Sequence, residues 1–119
     1  MTQKLLFVDS SASNATTFEC FFRDAGFEVL CAASCNEAFR LLGKYSFDLI
    51  ITDFDGPFVN GNAMVREIAG SPRPIPVIVH ASDISSVIPS SVIKEVVLKP
   101  ASIFQISEAI DKSLSAAVC

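Results

Sequence analysis

Two carboxylates stand close together at the end of an apolar run: Leu49-Ile50-Ile51 leads to Asp53 and Asp55, and Gly56-Pro57 follows. An apolar segment that ends in acids and a chain breaker reads as a strand delivering carboxylates to a loop. Asp9 closes a second such run, KLLFVD (4–9), and Lys99 lies in a third, VVLKP (96–100). Asp9 and Asp53 repel each other if they converge, so the place where they meet favours a hard divalent cation such as Mg²⁺. Lys99 adds a compact positive charge suited to pair with a carboxylate or to hold a phosphoryl oxygen. An Asp beside a metal and an ammonium is suited to accept a phosphoryl group, because both stabilise the charge of the transferring group.

The elements that must bring these residues together are legible as alternating patterns. KLLFVD (4–9) reads as a buried strand, and SNATTFECFFRDAG (13–26) as a helix with Phe18, Phe21 and Phe22 at helical spacing and Gly26 as its stop. FEVLCAA (27–33) is the second strand. Ser34 with Glu37 forms a capping box that opens a helix running to about Lys44. FDLIITD (47–53), PIPVIVHA (74–81) and VVLKP (96–100) are strands three to five. A short helix from Asn60 to Ala69 follows the acidic loop, and Ser102 caps a last helix striped by Phe104, Ile106, Ala109, Ile110 and Leu114. Continuous Val/Ile/Leu strands alternating with helices predict a parallel sheet covered on both faces. Right-handed crossovers make it an open, doubly wound α/β sheet, whose ligands bind beyond the carboxyl ends of the strands. Asp9, Ser10, Asp53, Asp55, His80 to Ser82 and Lys99 are the residues expected at those ends.

Length and charge narrow the possibilities. A chain of 119 residues is expected to form one domain over 1–119, with 50% apolar residues to fill its core. The net charge is −4 and the nine Lys and Arg are scattered, which argues against direct binding of nucleic acid. No apolar run reaches the length of a membrane span, and the N-terminal run is too short for a signal peptide. The expected location is the cytoplasm. The four cysteines, at 20, 31, 35 and 119, lack zinc-ligand spacing. Cys20 and Cys31 read as buried structural thiols, and Cys119 as an exposed terminal one. A mean hydropathy of +0.47 suggests an apolar surface covered by a partner.

The motifs FVDS (7–10), IITDFDGPFVNG (50–61), PVIVHAS (76–82) and VVLKP (96–100) resemble those of response-regulator receiver domains of two-component systems, and the resemblance spans essentially the whole chain. Pro57 and Gly61 fit the family's Asp-x-x-x-Pro-x-x-x-Gly pattern, and the 44 residues from Asp9 to Asp53 fit its spacing. The resemblance implies a flavodoxin-like sheet of order 2-1-3-4-5. It implies that Asp53 accepts phosphate from a sensor histidine kinase or phosphotransfer protein and that Lys99 senses it. It also implies that Asp9 and Asp53, with the backbone carbonyl of Asp55, bind Mg²⁺, and that a cis bond joins Lys99 to Pro100. Four departures stand beside the match. Ser10 replaces the second acid after strand one, which weakens Mg²⁺ binding unless the Asp55 side chain compensates. Ala81 occupies the position of the switch hydroxyl, and Val96 that of its aromatic partner. Only 17 residues separate Ala81 from Lys99, with Pro89 among them, so the fourth helix is expected to be short or absent.

Each residue also has a plainer reading. Asp53 reads as a loop acid, Asp9 and Ser10 as helix-start groups, Asp55 as a turn residue, Lys99 as a surface lysine and His80 as a structural histidine. The agreement of Asp53 with Pro57, Gly61 and Lys99 weighs against these readings for the acceptor. TDFDGPF also resembles the DxDG motif of haloacid-dehalogenase-type hydrolases. Two preceding strands, Pro57, and the lack of a downstream acidic pair argue against that enzyme, and a non-enzymatic signalling role is expected. The alternative within the receiver fold is a pseudo-receiver that binds partners without phosphate, favoured by Ser10, Ala81, Val96 and the short segment. Ile84, Val87, Ile88, Val92 and Ile93 crowd that segment beside Phe104. They predict an apolar patch suited to a homodimer through residues 84–93 and the final helix.

Overall fold

Five short apolar strands lie side by side in the order β2-β1-β3-β4-β5, all parallel. They are β1 (Lys4–Val8), β2 (Glu28–Ala32), β3 (Leu49–Asp53), β4 (Val77–Ala81) and β5 (Ile93–Leu98). The helices between them are α1 (Ala12–Asp24), α2 (Cys35–Lys44), α3 (Gly61–Ala69) and, after β5, α4 (Ile103–Val118). The computed structural model describes residues 2–56 and 59–118, so Pro57 of the acidic turn and Cys119 lie outside the described residues. The order is the flavodoxin-like one that the alternation of elements and the resemblance predict.

Side chains alternate across the sheet and so build two cores. Leu6, Val8, Ile50, Val77, Val79 and Ala81 point to the layer of α2 and α3, where Met64, Val65 and Ile68 meet them. Leu5, Phe7, Leu49, Ile51 and Ile78 point to the layer of α1 and α4, against Phe18, Phe22, Ile106 and Ile110. The central strand β3 is buried along its whole length, as a strand covered on both faces must be.

The helices start where short polar side chains satisfy free N–H groups. Ser34 Oγ accepts from Glu37 N, and Asn60 Oδ1 accepts from Ala63 N. Glu37 reaches back to Ala33 N rather than to the cap residue itself. Gly26, with φ of +97°, turns the chain from α1 into β2, a conformation that a Cβ disfavours.

Three expectations are corrected. The cap of α1 is Ser11, whose Oγ accepts from Asn14 N, and Ser10 is left free to face the acidic loop. Cys20 is exposed, because Phe18 and Phe22 occupy the buried stripe of α1 and position 20 falls on its outer side. Cys31 is half-buried, and burial together with Glu19 pushes its thiol up to about 11, so it stays protonated and unreactive. The last strand starts at Ile93 rather than Val96, which leaves Lys99 and Pro100 just past its end.

The shortened segment before β5 contains a single 3₁₀ turn, Ile84–Ser86, in place of a helix. Asn62 of α3 holds it from both sides of its amide. Its Nδ2 donates to Ser86 O at 3.1 Å, and its Oδ1 accepts from Ile88 N at 3.0 Å. Of the five apolar residues there, Val92 is buried and Val87 and Ile93 are half-buried, while Ile84 and Ile88 are exposed. Among the described residues no helix is long and apolar enough to cross a membrane.

Candidate functional site

Backbone ladders carry on one residue beyond the strands and fix the site from below. Asp9 N donates to Ala32 O at 2.9 Å, Phe54 N to His80 O at 3.0 Å, and Lys99 N to Ala81 O at 2.8 Å. Val8 is registered with Thr52, so Asp9 and Asp53 follow as neighbours on the α1/α4 side of the sheet. Asp53 in turn is registered with His80. Thr52, fully buried, donates its hydroxyl to Asp53 O at 2.8 Å and stiffens the strand end.

Asp53 and Asp9 are both buried carboxylates. Burying a charge is unfavourable unless it is paired. Asp53 has such a partner: Lys99 Nζ donates to Asp53 Oδ1. The same ammonium donates to Asp55 Oδ1 at 2.7 Å, and Asp55 Oδ2 accepts from Ser82 N at 2.9 Å. Those two bonds hold the Asp55 carboxyl down at about 2. Burial opposes the Lys99 charge, but the Asp53 and Asp55 carboxylates outweigh it and raise the ammonium above its ordinary value. Asp9 is engaged from the start of α1, its Oδ1 by Ser11 N at 2.8 Å and its Oδ2 by Asn14 Nδ2 at 3.2 Å.

Gly56 closes the site over Asp53. A methyl group on Gly56 would lie 2.2 Å from Asp53 Oδ2 and 3.5 Å from Ser10 Oγ. The backbone of the acidic loop therefore touches the carboxylate, which only a residue without a Cβ permits. His80 is half-buried, with Nε2 enclosed and without a hydrogen-bond partner. Burial and then the Lys99 charge hold its imidazole below the usual range, against the pull of Asp53, Asp9 and Asp55. It stands as a neutral ring beside Asp53, in a cavity of about 150 Å³ shared with Asp9, Asn14 and Thr17.

The structure thus gathers Asp53, Asp55 and Lys99 into one bonded cluster, with Asp9 and Ser10 alongside. Ala81 is buried in the opposite core and Val96 is half-buried against it, so neither presents a polar group to Asp53. Three contributors were not read from the sequence. Asn14 holds Asp9, the backbone amide of Ser82 binds Asp55, and Gly56 packs on Asp53. The Gly-Pro turn signalled the last, whereas a backbone amide carries no sequence signal at all.

Among the described residues, no three His, Cys, Asp or Glu side chains gather closely enough to hold a metal ion together. Asp9 and Asp53 are hard oxygen donors that fit a Mg²⁺ retaining most of its water. The Asp55 carboxylate is already bound to Lys99 and Ser82.

Comparison with known proteins identifies the family of the chain. Residues 5–111 match the family described as the response regulator receiver domain. A probable transcriptional regulator of Porphyra purpurea, ycf29, is 32% identical over 68 residues, which cover 57% of this chain and 32% of that protein. Its counterpart in Pyropia yezoensis is 34% identical over 68 residues, 57% of this chain and 31% of that protein, so the chain spans about a third of the length of these curated relatives. A receiver domain from Clostridium thermocellum superposes with a TM-score of 0.85 at 26% identity, covering 97% of this chain and 96% of that one. The chemotaxis response regulator CheY4 of Vibrio cholerae superposes at 0.83 with 23% identity, over 96% and 100% of the two chains. TrrA of Thermotoga maritima, solved in complex with Mg²⁺ and BeF, does so at 0.82 with 22% identity, over 95% and 100%. With the family match running nearly end to end, the chain belongs to the response regulator receiver domains, the signalling modules of two-component systems.

Proposed function

We propose that Asp53 is the phosphoacceptor of this receiver domain and that a histidine kinase or phosphotransfer protein is its donor. The observation that carries this is the buried Asp53 carboxylate paired with Lys99 at the carboxyl edge of the sheet. An Asp53 oxygen attacks the phosphorus. The bond to the donor nitrogen or oxygen breaks, the leaving group keeps that electron pair, and an acyl phosphate forms. Lys99 stays protonated throughout and offsets the added negative charge. Mg²⁺, held by Asp9 and Asp53, would neutralise the transferred oxygens when bound, and with Ser10 in place of a second acid its binding is weak. Receiver domains are signalling modules rather than classical enzymes, and the gathered acceptor and ammonium do not favour a phosphate-independent pseudo-receiver. The acidic net charge and scattered cations support a protein partner rather than a nucleic acid, and a cytoplasmic location suits a kinase partner.

Intact-mass measurement with acetyl phosphate and Mg²⁺ tests the reading. The wild type is expected to gain one phosphoryl group and Asp53→Asn none. An equal gain on both, or no gain on the wild type, would overturn it.

A second feature supports self-association. Ile84 and Ile88 are 59% and 57% exposed, Leu98 at the end of edge strand β5 is 50% exposed, and Phe104 of α4 is 72% exposed. We propose that the 84–93 segment and α4 form a homodimer face whose strength depends little on phosphorylation, because Ala81 and Val96 offer no switch groups. Sedimentation is expected to show a dimer that Ile88→Glu converts to monomer. A monomer that associates only with beryllofluoride would contradict this.

A further inference from the structure

A phosphoryl group on Asp53 needs hydrogen-bond donors for its oxygens. Two donors from other strand ends converge on the loop that follows Asp53: the Lys99 ammonium after β5, which also binds Asp53, and the Ser82 amide after β4. Both are taken. One carboxylate, that of Asp55, accepts from Lys99 through Oδ1 at 2.7 Å and from Ser82 N through Oδ2 at 2.9 Å. Lys99 holds Asp53 Oδ1 with the same nitrogen. An Asp55 oxygen therefore sits one shared ammonium away from the acceptor, where an oxygen of a phosphoryl group on Asp53 would be placed. A carboxylate offers two oxygens and a negative charge, much as one edge of a phosphoryl group does.

We propose that the Asp55 side chain is a resident anion that fills the phosphoryl pocket of the resting domain and must leave it when Asp53 is phosphorylated. The proposal rests on Asp53 being the acceptor and adds a competitor for the same donors. It follows from the geometry that the pocket is already assembled before phosphate arrives. Asp55 ties the ends of β3, β4 and β5 together through Lys99 and Ser82, and its side chain is about one-third exposed, so it has room to swing outward. Once displaced, it releases the Ser82 amide to the phosphoryl oxygens. The start of the 82–90 segment is then re-bonded without the hydroxyl that Ala81 lacks.

The test uses inorganic phosphate in Mg²⁺-free buffer, followed by the ¹⁵N–¹H signal of Ser82 in wild type, Asp55→Ala and Asp55→Asn. Removing the resident charge is expected to tighten phosphate binding about tenfold in Asp55→Ala, the equivalent of one charge-assisted contact regained. Asp55→Asn is expected to fall between, since its carbonyl oxygen still accepts from Ser82 but no longer competes as an anion for Lys99. Acetyl phosphate labelling with Mg²⁺ is run beside it, and Asp55→Ala is expected to label faster than wild type. Equal or weaker phosphate binding by Asp55→Ala overturns the resident anion, even if the wild type labels on Asp53. A tenfold gain in phosphate binding with no labelling of any chain upholds the resident anion and overturns the acceptor reading instead.

Discussion

Replacing Gly56 by Ala is expected to slow acetyl phosphate labelling of Asp53 about a hundredfold, although no side chain of the acceptor cluster is itself replaced. The added methyl would lie 2.2 Å from Asp53 Oδ2 and 3.2 Å from its Cγ, well inside van der Waals contact. One of the two groups must move, and neither moves freely. Asp53 is buried and held through Oδ1 by Lys99. The loop is held by Phe54 N on His80 O and by Asp55 on both Lys99 and Ser82. A displacement of about 1 Å at a reacting group costs on the order of a hundredfold in rate. Asp53→Asn removes the nucleophile, whereas Gly56→Ala displaces it, so the two variants separate identity from placement. The measurement is the labelling rate by intact mass, with the melting temperature as a control for folding. Labelling at the wild-type rate would show that the acceptor oxygen does not rest against this loop.

The largest effect on stability is expected from Phe18→Ala. Phe18 is fully enclosed between α1 and the sheet, stacked on Phe7 at 4.0 Å between ring centroids and tilted against Phe22 at 4.4 Å. Phe7 precedes Asp9 by two residues on the same face of the chain, so this cluster also supports the floor of the acidic site. Truncation removes the transfer free energy of the ring and leaves a cavity between close-packed neighbours. Such changes cost about 3–5 kcal/mol, a large share of the roughly 5–15 kcal/mol that holds a domain folded. For a domain of this size, the melting temperature should fall by roughly 10–20 °C. Phe104 provides the contrast. It lies on the surface at 72% exposed and meets Phe21 only edge-on at 5.9 Å, so Phe104→Ala should change stability by less than about 0.5 kcal/mol. Denaturant unfolding of the two variants checks this. A loss below about 1 kcal/mol for Phe18→Ala would mean that the α1 layer repacks around the gap.

The sequence by itself determined that Asp9, Asp53 and Lys99 share one edge of the molecule. Apolar runs buried on both faces must lie within the sheet, and an acid or a lysine can follow only where the strand leaves it. Parallel strands leave at the same edge, so the ends of β1, β3 and β5 meet there whatever the details between them. The cap at Ser34, and the loss of the fourth helix around Pro89, were legible for the same reason, because each depends on a few neighbouring residues. Tertiary structure alone decided what those side chains touch. The expectation of a buried Cys20 followed its residue type rather than its phase on α1, which sets position 20 opposite Phe18 and Phe22, and Cys20 is exposed. Ser10 and Ser11 are equally good caps by type, and in the fold the role falls to Ser11, whose side chain accepts from Asn14 N. The Asp55 carboxylate binds an amide 27 residues away and an ammonium 44 residues away. Hydrogen bonds have short range and strict direction, and hydrophobic patterning specifies only which face is buried. The partners of Asp55 are therefore set by how β3, β4 and β5 stack, and the backbone amide among them has no side chain by which a sequence can announce it.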